Sequence, residues 1–165
     1  MHKPEFVYVT YIRTTPERLW AAITAPEFTA QYWGCTFETD WTAGSTYDLQ
    51  QAGVRIVDPE QKVLVADPPR RLAYTWHTFT PELGEAFRWS DEFMATVAAE
   101  PRSSVTFEIE ADGDDGGMVR LTVTHGGFEE GSTVLESVSG GWPRVLANLK
   151  TMLETGSARP LVAAR

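Results

Sequence analysis

Apolar and polar positions recur along this chain with two different periods, and the period assigns an element to each segment. Val105, Phe107 and Ile109 alternate with Thr106, Glu108 and Glu110, and Val119, Leu121 and Val123 alternate with Arg120, Thr122 and Thr124. A period of two predicts paired strands with one buried face, so Leu121 and Val123 point inward and Arg120 and Thr122 toward water. The segment between them, Asp112-Gly113-Asp114-Asp115-Gly116-Gly117, reads as a solvated hairpin turn. As a calcium loop it fails, because an alternate ligand position falls on Gly116 and no Glu closes it. Leu135, Val138, Trp142, Val145, Leu146, Leu149, Met152 and Leu153 recur instead every three or four residues. That spacing predicts an amphipathic helix from about Ser132 to Thr155, roughly 36 Å long, stopped by Gly156. Gly140, Gly141 and Pro143 interrupt the pattern, so the helix either bends there or starts late, near Trp142.

The rest of the chain is punctuated more locally. Phe6 to Ile12 is rich in Val, Tyr and Thr and predicts a first strand. Thr14-Thr15-Pro16-Glu17 supplies an N-cap hydroxyl, a proline for the first helical position and an acid for the first turn. The helix it opens carries Leu19 and Ile23 on one face and ends at Pro26, where a second short helix runs to Tyr32. Phe37, Trp41, Tyr47 and Leu49 fall in short strand-like segments, with turns at Gly44 and Gly53. Lys62 to Ala66 and Leu72 to Phe79 predict two further strands, joined through Asp67-Pro68-Pro69-Arg70-Arg71. Pro81 to Pro101 is longer than a tight hairpin needs. Within it Ser90-Asp91-Glu92 starts a short helix bearing Phe93, Met94 and Val97. This stretch is either a lid with Phe87 and Trp89 dipping into a cavity or an excursion packed on the sheet edge. As a lid, Phe87 to Val97 would be the most mobile ordered part of the chain.

Composition narrows the picture. The 165 residues fit one α+β domain with a core over about residues 6–156 and a flexible tail over 157–165. Apolar residues at 42% and six tryptophans are ample for a packed interior. A net charge of −9, spread along the chain, opposes nucleic acid and anionic membrane surfaces as partners. Cys35 is the only cysteine, so neither an internal disulfide nor a cysteine-based zinc cluster can form, and a reducing, cytoplasmic setting fits. No signal-peptide pattern and no apolar run of membrane-spanning length appears.

The chemistry-bearing inventory is short. His2 lies at the terminus, and strand alternation sets His77 and His125 on different faces, so the histidines are not expected to converge. No second ligand stands at metal-binding spacing from His77, so it reads as structural, and no metal or cofactor is expected. His125 shares the buried face of Leu121 and Val123 and is a candidate ligand contact. Cys35 reads as a small buried hydrophobe. Trp33, Trp41, Trp76 and Trp142 serve as core or as an aromatic lining, two roles that are compatible where one sheet face is both.

Three stretches together resemble a known family: Thr14-Thr15-Pro16-Glu17-Arg18-Leu19-Trp20, Asp67-Pro68-Pro69-Arg70-Arg71-Leu72 with Tyr74-Thr75-Trp76, and Leu121-Thr122-Val123-Thr124-His125 with Gly141-Trp142-Pro143. They resemble the SRPBCC, or START-like, superfamily, and within it the branch similar to the activator of 90-kDa heat-shock protein ATPase. The resemblance implies a helix-grip fold: a curved antiparallel sheet of about six or seven strands around the long C-terminal helix, with two short helices after the first strand. It implies a cavity, expected at roughly 300 Å³ or more, that takes a small hydrophobic or aromatic molecule. The expected lining is Trp33, Tyr74, Trp76, Phe87, Trp89, Leu121, Val123, His125, Trp142 and Leu146. Fold is not function. One alternative is a cyclase- or hydrolase-like enzyme, with His125 or Tyr74 moving a proton. Another is a chaperone-interaction protein, against which stands a grip fold that begins almost at residue 6. A monomer or homodimer is expected.

Overall fold

The computed structural model describes residues 3–114 and 116–157, so His2, Asp115 and the expected tail beyond residue 157 lie outside it. The chain opens with β1 (Phe6–Ile12), followed by helices α1 (Pro16–Thr24) and α2 (Pro26–Tyr32). Next come β2 (Cys35–Glu38), β3 (Asp48–Gln51), β4 (Val54–Ile56), β5 (Val63–Asp67) and β6 (Arg71–Thr75). Two short helices follow, α3 (Pro81–Ala86) and α4 (Asp91–Ala99), then β7 (Ser104–Ala111), β8 (Val119–Gly126) and the terminal α5 (Thr133–Thr155).

The strands are all antiparallel and divide into a five-stranded sheet, β1-β8-β7-β6-β5, and a three-stranded sheet, β2-β3-β4. An isolated bridge between Thr46 and Lys62 ties the two together, and the Val63 amide donates to the Ser45 carbonyl across the same seam. The number of strands therefore exceeds the six or seven counted from sequence, because β2 to β4 are only three or four residues each and carry too few alternations to be read separately. In β8 the inward register is as expected: Val119, Leu121, Val123 and His125 are buried and the residues between them partly exposed.

Helix α5 packs against β1, α1, α2 and α4 and buries Trp142, Val145, Leu146, Leu149, Met152 and Leu153. It is continuous through Pro143, which rules out a late start. Ser132 caps its first turn, accepting from the Leu135 amide at 2.9 Å, and Gly156 ends it with φ of 88°, a left-handed conformation that glycine adopts without cost. Gly140 sits in the helix interior on the exposed side, and a Cβ there would touch nothing. Gly140→Ala is therefore expected to stabilise the protein by up to about 1 kcal/mol, seen as a rise in the urea midpoint.

The other departures have local causes. Strand β6 ends at Thr75 rather than Phe79, since Trp76 onward turns away into the excursion. Helix α3 was not anticipated, although Thr80-Pro81-Glu82 repeats the start signal of Thr15-Pro16-Glu17. The Thr80 hydroxyl oxygen accepts from the Leu83 amide as Thr15 accepts from Arg18.

Candidate functional site

The excursion between β6 and β7 is clamped at its base. The Trp76 amide donates to the Ser103 carbonyl at 2.9 Å. The Arg102 guanidinium donates to the Trp76 carbonyl at 2.8 Å and to the Thr78 hydroxyl oxygen at 2.9 Å, with the Asp58 carboxylate 3.5 Å away. Thr78 in turn donates its hydroxyl to Asp58, which holds that carboxyl below its ordinary range. At the far end of α4, Glu100 accepts from the Ser132 hydroxyl and from the Thr133 and Val134 amides at 2.9 and 3.2 Å. These amides are among those a helix start leaves unpaired, and the carboxylate also suits the positive end of the helix dipole.

Held this way, α3 and α4 cover an apolar cavity of about 210 Å³. Its walls come from Phe79, Leu83, Phe87 and Trp89 of the cover, and from Val134, Val138 and Gly141 of α5. Trp76, His77 and Gln51 close its inner end. The same three residues bound a smaller void of about 50 Å³ beneath the small sheet. Trp76 and His77 also border a third hollow of about 130 Å³ that reaches Glu100 and Arg102. A larger hollow of about 400 Å³ is a more open one on the small sheet, bordered by Gly34, Gln50, Gly53 and Arg55. The cavity under α3 and α4 is smaller than the roughly 300 Å³ expected. The reason is that tryptophan fills the space below it: the rings of Trp33, Trp76 and Trp142 meet at centroid distances of 5.2 to 6.4 Å.

Of the residues singled out in the sequence, Trp76, Phe87 and Trp89 line the cavity. Trp33 and Tyr74 border only the inner void. Leu121, Val123, His125, Trp142 and Leu146 are core, at most 3% exposed, and border none of these spaces. Trp41 packs elsewhere, against Phe37 and Tyr74.

His125 is fully buried with both ring nitrogens engaged. The Trp142 indole N–H donates to Nδ1 at 3.0 Å, and Nε2 lies 2.8 Å from the Ser103 hydroxyl. An indole nitrogen only donates, so Nδ1 is the unprotonated one and Nε2 carries the hydrogen toward Ser103. Burial, helped by the His77 charge, pushes the His125 pKa down to about 3. The two histidines are closer than alternation suggested: both rings pack on Trp76, at 5.1 and 4.6 Å. Alternation fails because His77 lies beyond the end of β6.

Gln51, His77, Phe79, Leu83, Val134, Val138 and Gly141 were not assigned to the cavity from sequence. The only available signal was in α5, where 134, 138 and 141 lie on one helical stripe adjoining the core positions. Cys35 is buried and its thiol pKa is pushed up by that burial, as for an inert core residue. No group of three or more His, Cys, Asp or Glu able to hold a metal gathers among the described residues. Among them, no helix is long and apolar enough to cross a membrane.

Comparison with known proteins matches residues 13–154 to the family described as activator of Hsp90 ATPase homolog 1-like protein. No curated protein sequence matches the chain. Among solved structures, protein MLL2253 from Mesorhizobium loti is similar with a TM-score of 0.68 at 22% identity, over 91% of this chain and 96% of that one. The Aha1 dimer from Colwellia psychrerythraea has a TM-score of 0.65 at 18% identity, over 93% and 98%. CalU16 from Micromonospora echinospora has a TM-score of 0.63 at 18% identity, over 94% and 77%. At these identities the likeness is one of fold.

Proposed function

We propose, because the chain belongs to the activator of Hsp90 ATPase homolog 1-like family, whose helix-grip fold encloses space between sheet and terminal helix, that it binds a small hydrophobic or aromatic molecule in the cavity under α3 and α4. The observation that carries this is the lining: Phe79, Phe87, Trp89 and Phe93 come from one excursion and face apolar residues of α5 across about 210 Å³. A solvated surface loop has no physical reason to turn that many aromatic side chains toward one hollow.

Gly141 provides the test. It lies on the cavity side of α5, and a Cβ there would meet open space. Gly141→Leu is expected to fill the cavity and weaken binding of an apolar aromatic probe such as naphthalene by at least about tenfold, with the thermal midpoint unchanged or raised. Calorimetric titration reads this directly, and equal affinity in the two proteins would refute the location. Native mass spectrometry of the protein from its own host would identify the class of a retained ligand.

The cyclase- or hydrolase-like alternative relied on His125 or Tyr74 to move a proton, and neither supports it. Both His125 nitrogens are committed, and burial drives the Tyr74 phenol far above its ordinary pKa. The chaperone-interaction reading draws on the family description alone; ATPase stimulation by this chain would support it.

A further inference from the structure

We propose that the cavity selects a neutral, flat aromatic ligand bearing a hydrogen-bond donor, a phenol or a heteroaromatic N–H, which His77 Nε2 accepts beside the Gln51 carboxamide. This rests on the cavity-binding reading and names its ligand class. His77 Nδ1 lies 2.9 Å from the Thr78 carbonyl oxygen. A carbonyl oxygen only accepts, so Nδ1 carries the hydrogen and Nε2 keeps its lone pair. Burial reinforces this by pushing the His77 pKa down to about 4, which leaves the ring neutral near pH 7. Among the described residues no donor reaches Nε2, and none pairs with the Gln51 side chain. Both residues border this cavity and the void behind it, whereas Ser137, the other polar side chain of the lining, borders the cavity alone and is exposed.

The rest of the lining fixes the ligand's other properties. No Asp, Glu, Lys or Arg lines the cavity, so an ionised ligand would lose its hydration with nothing in return. The faces of Trp76, Phe79, Phe87 and Trp89 suit a planar ring by stacking or edge contact. A ligand with an acceptor in place of the donor would set a lone pair against the lone pair of Nε2, leaving that nitrogen unpaired.

The test is calorimetric titration of the full chain with 2-naphthol, 2-methoxynaphthalene, naphthalene and 2-naphthoate. 2-Naphthol is expected to bind about tenfold more tightly than its methyl ether, the factor one net hydrogen bond supplies, and 2-naphthoate is expected to show no measurable binding. In His77→Phe the 2-naphthol advantage should vanish while naphthalene binding persists. Nitrogen-15 spectra of the unaltered protein give a second readout, in which the His77 Nε2 resonance shifts with 2-naphthol and not with naphthalene. Equal affinities for 2-naphthol and its ether, or an unmoved Nε2 resonance, would overturn the proposal and leave cavity binding standing. Failure of all four probes to bind would overturn both.

Discussion

Truncating Trp142 to alanine is expected to destabilise the protein by about 3 to 5 kcal/mol, the usual cost of removing a fully packed aromatic side chain. Trp142 is 3% exposed and meets Trp33, Trp76 and Phe107 at centroid distances of 5.2, 5.7 and 5.8 Å. The loss would also leave His125 Nδ1 buried without its donor, a separate cost. Trp142→Phe separates the two effects. It keeps most of the packing and removes only the N–H, so about 1 to 3 kcal/mol should be lost. Urea unfolding measures both. Because Trp142 lies beneath the cavity and does not border it, probe affinity should survive in whatever fraction stays folded. A loss under about 1 kcal/mol for the alanine variant would show that the ring is not packed as described.

Acid is expected to destabilise the fold from near pH 6.5 downward, well above the range in which carboxylates titrate. In the unfolded chain His125, buried, and His77, partly buried, both return to a pKa of about 6.5. Folded, His125 lies near 3 and His77 near 4, burial being the larger cause in each. Between those values and 6.5 the unfolded state binds more protons, so stability rises with pH. The contribution is fully present above about pH 6.5 and is lost as pH falls toward the folded values. For His125 the slope is about 1.4 kcal/mol per pH unit, roughly 5 kcal/mol over the whole window. The carboxylates held below their ordinary range, Asp40, Asp58 and Glu154, add their losses only at lower pH. Unfolding free energy measured from pH 7 to 4 checks this. His125→Phe should be less stable at pH 7 and show a shallower slope, and a flat profile in the unaltered protein between pH 6.5 and 5 would refute the account.

What the sequence made legible follows from the range over which each signal acts. The periodicities of β8 and α5 are long enough to be self-averaging, so the register of Leu121 and Val123 and the extent of α5 could be read directly. Caps are local and chemical, and Thr15, Ser90 and Ser132 each mark a helix start that the structure contains. The strand-like segments at Phe37 and Leu49 are strands in the structure, but three or four residues hold too little pattern to bound β2 to β4 one by one. The site was harder, since a cavity is a property of what fails to fill space. Trp33, Trp142 and Trp76 are equally aromatic, yet the first two lie beneath the hollow and the third forms its wall, a distinction set by the path of the chain after Thr75. His77 and Gln51 meet across more than twenty intervening residues, and no spacing rule connects them.

The carboxylate of Glu100 makes the cover and the long helix thermodynamically one piece. Any motion that lifts the end of α4 withdraws its bonds from the first turn of α5, so breathing at that side carries the cost of fraying a helix terminus. Among the described residues no side-chain hydrogen bond ties the opposite side to α5: between α3 and α4, Arg88 holds a φ of 58°, an unfavoured conformation for a side-chain-bearing residue, between the cavity residues Phe87 and Trp89. Traffic into the hollow should therefore pass the Phe87–Trp89 corner, like a flap sewn along one seam. Hydrogen exchange should show amides near Arg88 exchanging independently, while those at the end of α4 exchange together with the start of α5.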